Sequence, residues 1–382
     1  MRVGIPVSGC DLGESGISRY LIELLRAIAR EPGPDEFLLF GSQAALEVFD
    51  PKDPRFSRAV LPDRVAEPMP NILWNATSLR SFARKQRLDL LFFPAANRRM
   101  PFAPGLPVVG TVHDLSSLHM TGKYPLSHEI YIKGLVPFLI RRLDRIVSVS
   151  EATKKDLVET ARVEAARITV IAHGVDLSRF SPEGSALAAP AVAATFGIKP
   201  PYFLYLARIE HPGKNHVRLI RAFAEYKRRT GLPHSLVLAG KDWDRADQVH
   251  REAEASPARA DIVFTGFVSN EDVAGLYGGA TALVFPSLFE GFGMPLLEAM
   301  AAGVPVFCSN TSSLPEVGGD AATYFDPEDE ASITRALEAT ADAGLLAAGR
   351  RAGLERARSA GWDRAAAATL AVLRTCAERK EP

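Results

Sequence analysis

Residues 284–300 read Val284-Phe285-Pro286-Ser287-Leu288-Phe289-Glu290-Gly291-Phe292-Gly293-Met294-Pro295-Leu296-Leu297-Glu298-Ala299-Met300. The apolar run that ends at Phe285 has the length of a buried strand. Gly291 and Gly293 then supply a turn, and Pro295 sits where a helix begins and its missing N–H costs nothing. Strand, glycine turn and helix make one βα unit. Short apolar runs alternate with longer helix-like stretches along the rest of the chain, the pattern of parallel sheets covered by helices. Strands are expected at 3–7, 36–40, 88–93, 107–111, 145–148 and 167–171, and again at 202–206, 235–239, 262–265, 282–285 and 304–308. The fold class is therefore α/β, with two doubly wound parallel-sheet domains. The stretch 178–201, rich in Pro, Ala, Gly and Ser, reads as the linker. The expected division is 1–185, 186–361 and a terminal helix at 362–382 that can pack on either domain, with a return to the first among the options.

At 382 residues and 47% apolar content the chain can fill two cores. Basic and acidic side chains balance at 45 each, which argues against a nucleic-acid partner. The first 180 residues carry a small basic surplus and the remainder an acidic one. Cys10, Cys308 and Cys376 are scattered, so neither a disulfide framework nor a structural zinc site is expected, and a reducing cytoplasmic setting fits. The first residues lack the pattern of a signal peptide, and no run has the length of a membrane span.

Doubly wound sheets bind ligands beyond the carboxyl ends of their strands, so two such domains facing each other would form one central cleft. Four strand-end segments stand out. In 284–300, backbone N–H groups at Gly291, Phe292, Gly293 and Met294 and the helix dipole suit a phosphate or a sugar hydroxyl. Glu298, expected in the first helical turn, suits a ribose diol, and Glu290 before the turn suits the sugar; alternatively, both are ordinary helix-start charges. In Leu206-Ala207-Arg208-Ile209-Glu210-His211-Pro212-Gly213-Lys214-Asn215, a forked guanidinium and a compact ammonium can share one diphosphate. In Thr111-Val112-His113-Asp114-Leu115, His113 can bond a sugar hydroxyl or phosphate, or merely satisfy loop backbone, and Asp114 lies on the acceptor side. In the loop 9–20, Gly13 and Gly16 allow close backbone approach, and Arg19 is a further acceptor-side candidate. That loop is neither Gly-x-Gly-x-x-Gly nor a Walker sequence, which removes the main support for nicotinamide cofactors and P-loop hydrolysis. His119 and His128 are too irregularly spaced to form a metal cluster with His113. Asp242-Trp243-Asp244 matches an Asp-x-Asp metal pattern, but reads as the start of a solvated helix.

Together these segments resemble the retaining glycosyltransferases of family 4, built on the GT-B plan of two Rossmann-like domains. Glu290 and Glu298 meet the Glu-x7-Glu signature, and Arg208 and Lys214 match the diphosphate pair. Phe264-Thr265-Gly266-Phe267-Val268 resembles the segment lying against the nucleotide base. Ala172-His173-Gly174-Val175-Asp176 resembles an Asn-Gly-Val-Asp run, with His173 in place of Asn; Glu14 and Ser15 replace the commoner glycine pair before Gly16. The resemblance implies metal-independent transfer with retention and no cofactor. Arg208 and Lys214 would steady the departing diphosphate, Glu290 the hexose and Glu298 the ribose, with His113 among the catalytic groups. GDP-mannose is the first expected donor, then UDP- or dTDP-hexose. The expected acceptor is a saccharide or lipid-linked saccharide of polysaccharide assembly. Basic residues in 78–87 (Arg80, Arg84, Lys85, Arg87) and 130–145 (Lys133, Arg141, Arg142, Arg145) suit peripheral contact with an anionic inner membrane, or are ordinary solvated helix faces. The competing readings are a sugar-nucleotide epimerase, a phosphorylase lacking an identifiable pyridoxal lysine, and a non-catalytic sugar-nucleotide sensor.

Overall fold

The computed structural model describes residues 1–8, 10–13, 15–96, 105–115 and 136–378. The chain divides into two compact units, residues 1–174 with 362–382, and residues 175–361.

In the first unit, seven strands lie parallel: β1 (Arg2–Pro6), β2 (Glu36–Gly41), β3 (Phe56–Val60), β4 (Leu90–Phe93), β5 (Val108–Val112), β6 (Arg145–Ser148) and β7 (Ile168–Val170). Their order is β3-β2-β1-β4-β5-β6-β7. β4 and β5 are buried along their whole length, as expected for strands covered on both faces. β3 was not expected from the sequence. It is an edge strand whose Ser57, Arg58 and Val60 are exposed, so it lacks the continuous apolar run that marks its neighbours.

The second unit has six parallel strands: β8 (Tyr202–Leu206), β9 (Ser235–Ala239), β10 (Ile262–Gly266), β11 (Ala280–Phe285), β12 (Val306–Ser309) and β13 (Ala322–Phe325). The order is β10-β9-β8-β11-β12-β13, the doubly wound 3-2-1-4-5-6 arrangement, and it reverses between β8 and β11. β13, also unforeseen, is the opposite edge and is only half-buried.

The stretch read as a linker is a helix, Pro182–Phe196, within the second unit. Ser181 caps its start by accepting from Gly184 N, Pro182 opens it, and Gly197 closes it at φ 65°. It packs on the helix Val273–Gly278, where a side chain at Gly278 would lie 2.0 Å from Ser185 O. The two backbones meet closely because Gly275 and Gly278 present no Cβ. The compact units accordingly divide after Gly174, not near 185. The terminal helix Trp362–Glu378 belongs to the first unit and packs on the helix Gly16–Arg30, with Arg30 bonded to Asp363 and Arg374 to Asp35.

Candidate functional site

The reversal of strand order in the second unit puts the loops after β8 and β11 side by side at the carboxyl edge, where doubly wound sheets hold their ligands. One loop carries Arg208 and Lys214, the other Glu290 and the glycine turn. Leu288 N donates to Gly213 O at 3.0 Å and ties them together. Lys214 Nζ donates to Glu290 Oε1 at 2.6 Å, with both side chains largely buried. Tyr205, fully buried in β8, holds this arrangement from below. Its hydroxyl donates to Lys214 O at 2.8 Å and lies 2.9 Å from Ser287 Oγ. Burial, reinforced by the Glu290 charge, pushes the Tyr205 phenol well up, so it stays a donor. Asn215 adopts φ 60° and its amide donates to Pro286 O and Pro327 O, pinning the start of the helix His216–Thr230 to two further loops.

A third loop, after β12, braces the glycine turn. Ser312 Oγ donates to Glu290 O and Thr311 Oγ1 to Leu288 O, while Ser313 Oγ lies 2.9 Å from both Glu290 O and Phe292 O, which share its one proton. Carbonyls of the turn are thus held from the protein side. Gly293 adopts φ 103°, the left-handed region that favours glycine, and a side chain there would also meet Leu314 at 2.8 Å. The helix Met294–Ala301 follows, and no side chain among the described residues caps its start. Pro295 is its second residue and Leu296 is buried beneath it. Glu298 is the fifth residue, in the second turn and not the first, because the helix begins at Met294 directly after the left-handed Gly293. Its Oε2 accepts from the hydroxyl of buried Tyr277 at 3.0 Å.

Arg208 is half-exposed. Its guanidinium lies over the ring of Trp243 at 4.9 Å, and Nη2 is 3.6 Å from Glu210 Oε2. Trp243 belongs to the Asp-x-Asp triplet, which is not the helix start expected from the sequence. It runs beside the Arg208 loop, with Ile209 N donating to Lys241 O and Trp243 N to Ile209 O, and the helix begins at Ala246. Gly240 permits this pairing, since a side chain there would lie 2.0 Å from Ala207 O. Asp242 is engaged by His250 Nε2, at 2.9 Å and 3.1 Å from its two carboxylate oxygens. After β10, Phe267 is exposed at the carboxyl edge and Val268 is buried.

The remaining candidates belong to the first unit. His113 follows β5 and is buried; its Nε2 donates to Pro94 O at 2.8 Å, which places the ring proton there in the neutral form. Thr153 Oγ1 donates to His113 O. Asp114 and Arg19 are partly exposed. In the loop after β1, Gly13 adopts φ 101°, whereas Gly16 is the first residue of its helix. Asp11 Oδ1 accepts from Ser15 N and Ser18 Oγ, so a carboxylate already stands at that helix start. Glu14, His119, His128 and Lys133 lie outside the described residues. Sequence reasoning missed Tyr205, Tyr277, Trp243 and the Thr311–Ser313 brace, which act only through contacts distant in the chain.

Two family models match, Glycosyltransferase Family 4 over residues 15–179 and Glycosyl transferases group 1 over residues 193–345. O-antigen chain mannosyltransferase B of Escherichia coli is 30% identical over 264 residues, covering 69% of this chain and 68% of that protein. The serotype-specific mannosyltransferase WbdA of Escherichia coli is 32% identical over 59% of this chain, but the match spans only 28% of WbdA. Among solved structures, Anabaena HepE in complex with UDP and glucose superposes with a TM-score of 0.73, covering 98% of this chain and 99% of HepE. At 18% identity that likeness shows the fold alone, two Rossmann-like domains of the GT-B class. With both family models matched in turn along the chain, the relative in Escherichia coli 30% identical over two thirds of both chains, and Lys214 bonded to Glu290 at the switch point of the second sheet, the chain belongs to glycosyltransferase family 4.

Proposed function

We propose that the protein transfers a hexose, mannose in the first instance, from a nucleoside-diphosphate sugar to a saccharide or lipid-linked acceptor in cell-surface polysaccharide synthesis, with retention and without a metal. The observation that carries this reading is the Lys214–Glu290 pair at the switch point, which puts a diphosphate-binding cation and a hydroxyl-binding carboxylate within one bond of each other. Lys214 and Arg208 hold the departing diphosphate, Glu290 accepts from hexose hydroxyls, and Glu298 accepts from the ribose diol. The base lies along Phe267 and Val268, and Gly291, Phe292 and Gly293 line the phosphate path. The bond from the anomeric carbon to the phosphate oxygen breaks, the acceptor oxygen bonds to that carbon on the same face, and the acceptor's proton passes to the leaving phosphate. Positioned positive charge at the diphosphate is the main source of rate. His113 contacts the sugar, with Asp114 and Arg19 on the acceptor side. The names of the mannosyltransferase relatives support mannose as the sugar, and the donor proposed is GDP-mannose, ahead of UDP- or dTDP-hexose.

No helix among the described residues is long and apolar enough to cross a membrane. Contact with an anionic cytoplasmic leaflet fits residues 64–87 best. There Met69 and Leu73, one helical turn apart, are exposed beside exposed Arg80, Arg84, Lys85 and Arg87. Arg141 and Arg145 of the other basic stretch are instead spent on Ala161 O and Ala166 O.

Thermal-shift screening against GDP-, UDP-, dTDP- and ADP-sugars tests the donor, since a ligand of the native state raises its stability. Transfer assays with NMR of the product anomer test the stereochemistry. Absence of any nucleotide-sugar shift, or an inverted anomer, overturns the reading; a free epimerised sugar formed without acceptor establishes the epimerase alternative.

A further inference from the structure

His173, the residue at which this chain departs from the Asn-Gly-Val-Asp run, lies inside a buried aromatic cluster of the first unit. On one side its ring stacks on Trp362, the first residue of the terminal helix, with centroids 5.7 Å apart and planes inclined by 23°. On the other side it leans on Tyr20 at 4.8 Å. Tyr20 meets His113 in a T-shaped contact at 4.7 Å, with planes at 81°. The Tyr20 hydroxyl lies 3.0 Å from Thr111 Oγ1, on β5 two residues before His113. Burial raises the Tyr20 phenol and lowers the His173 imidazole, so both rings are neutral packing surfaces. Gly174 makes the approach possible, because a side chain there would stand 2.4 Å from Trp362 N.

His113 is therefore held by the bond from Nε2 to Pro94 O, by its T-shaped contact with Tyr20 and by a tilted contact with His173 at 5.8 Å. Tyr20 is itself clamped between its bond to Thr111 and the His173–Trp362 stack. An asparagine at 173 would offer no ring to either neighbour. We infer that His173 and Trp362 are positioning residues that set the ring of His113, His173 both through Tyr20 and by its own ring contact at 5.8 Å and Trp362 through Tyr20 and His173, so that the terminal helix governs the geometry of the sugar-facing histidine. This rests on the placing of His113 at the sugar.

Full-length protein labelled with 13C-histidine tests it. His173→Asn and Trp362→Leu are expected to move the His113 Cε1 resonance and its titration, while Trp362→Phe, which keeps a ring, returns both toward the wild-type position. With GDP-mannose as the probe, His173→Asn lowers kcat by about tenfold while KM changes little, as expected for a misplaced group. In a His113→Ala background the same substitution adds nothing further. A single cooperative unfolding transition close to that of the wild type verifies that the variants are folded. An unmoved His113 resonance in the folded variants overturns the inference, as does an additive loss in the His113→Ala background. Full turnover by His113→Ala itself would instead overturn the role of His113 in the reaction, and the resonances, which need no substrate, would still decide whether the ring is set by His173 and Trp362.

Discussion

Lys214 Nζ lies 2.6 Å from Glu290 Oε1, so the cation proposed to bind the diphosphate and the carboxylate proposed to bind the sugar are bonded to each other. The side chains are only 19% and 15% exposed, and removing one leaves the other a poorly solvated charge. Either truncation should cost about 1–3 kcal/mol of stability, less than for a fully buried pair. Their effects on ligand binding should diverge. Lys214→Ala should weaken GDP binding and lower donor turnover by at least ~100-fold, about 3 kcal/mol of transition-state stabilisation. Glu290→Gln should keep or improve GDP binding, since the ammonium is released, yet lose sugar transfer. Calorimetric titration with GDP separates the two, and equal loss of GDP affinity in both variants would contradict the division of roles.

Tyr277 should prove a determinant of nucleoside binding although it touches no expected ligand. Its hydroxyl donates to Glu298 Oε2 at 3.0 Å and lies 3.3 Å from Pro295 O, fixing the carboxylate one turn into its helix. Tyr277→Phe keeps the buried ring and removes only that donor, at a cost of about 1 kcal/mol. GDP affinity should fall by about fivefold, the equivalent of one such bond, against at least ~100-fold lower turnover for Glu298→Ala. Unchanged affinity in Tyr277→Phe would show that Glu298 needs no such support.

The parts of this site that were legible in the sequence are those where an apolar strand is cut by residues with local meaning. Phe285 followed by a glycine turn, and Leu206 followed by Arg208 and Lys214, announce strand ends regardless of what they pack against. Edge strands β3 and β13 gave no such contrast, because half-exposed strands carry polar residues where central ones carry a continuous apolar run. The helix Pro182–Phe196 was hidden by its alanines, which leave no apolar stripe, although Ser181, Pro182 and Gly197 form a readable set of caps. Nothing local marks Tyr205, Tyr277 or Ser313. Their hydroxyls reach partners 9 to 82 residues away in sequence, and only the closed fold brings donor and acceptor together.

The Asp-x-Asp triplet should contribute through its tryptophan and not through its acids. Asp242 is engaged by His250, while Trp243 lies beneath the Arg208 guanidinium. A half-exposed cation–π contact contributes about 0.5–1 kcal/mol, so Trp243→Ala should raise the donor KM about two- to fivefold. Asp242→Asn should leave turnover within about twofold, since a solvent-exposed polar contact of this kind contributes little. Full activity is expected in EDTA. Loss in EDTA restored by magnesium or manganese, together with inactivity of Asp242→Asn, would assign the triplet to a metal.

Acid should unfold the protein earlier than its carboxylates alone require. His216, buried against Tyr205, has its imidazole pushed down from 6.5 to about 3 by burial, only partly offset by the bond to Glu210 O. His173, His211 and His234 are lowered in the same direction, burial being the first cause in each. The unfolded chain therefore takes up protons that the native chain refuses. The stability due to neutral His216 is complete above about pH 6.5 and is lost progressively as pH falls toward about 3. Within that window such a histidine gives a slope of up to about 1.4 kcal/mol per pH unit. Urea unfolding at pH 7, 5.5 and 4.5 should show stability falling at each step. His216→Phe, which keeps a ring against Tyr205 but cannot take a proton, should flatten that fall. A slope unchanged in the folded His216→Phe variant would mean that His216 already titrates normally in the native protein.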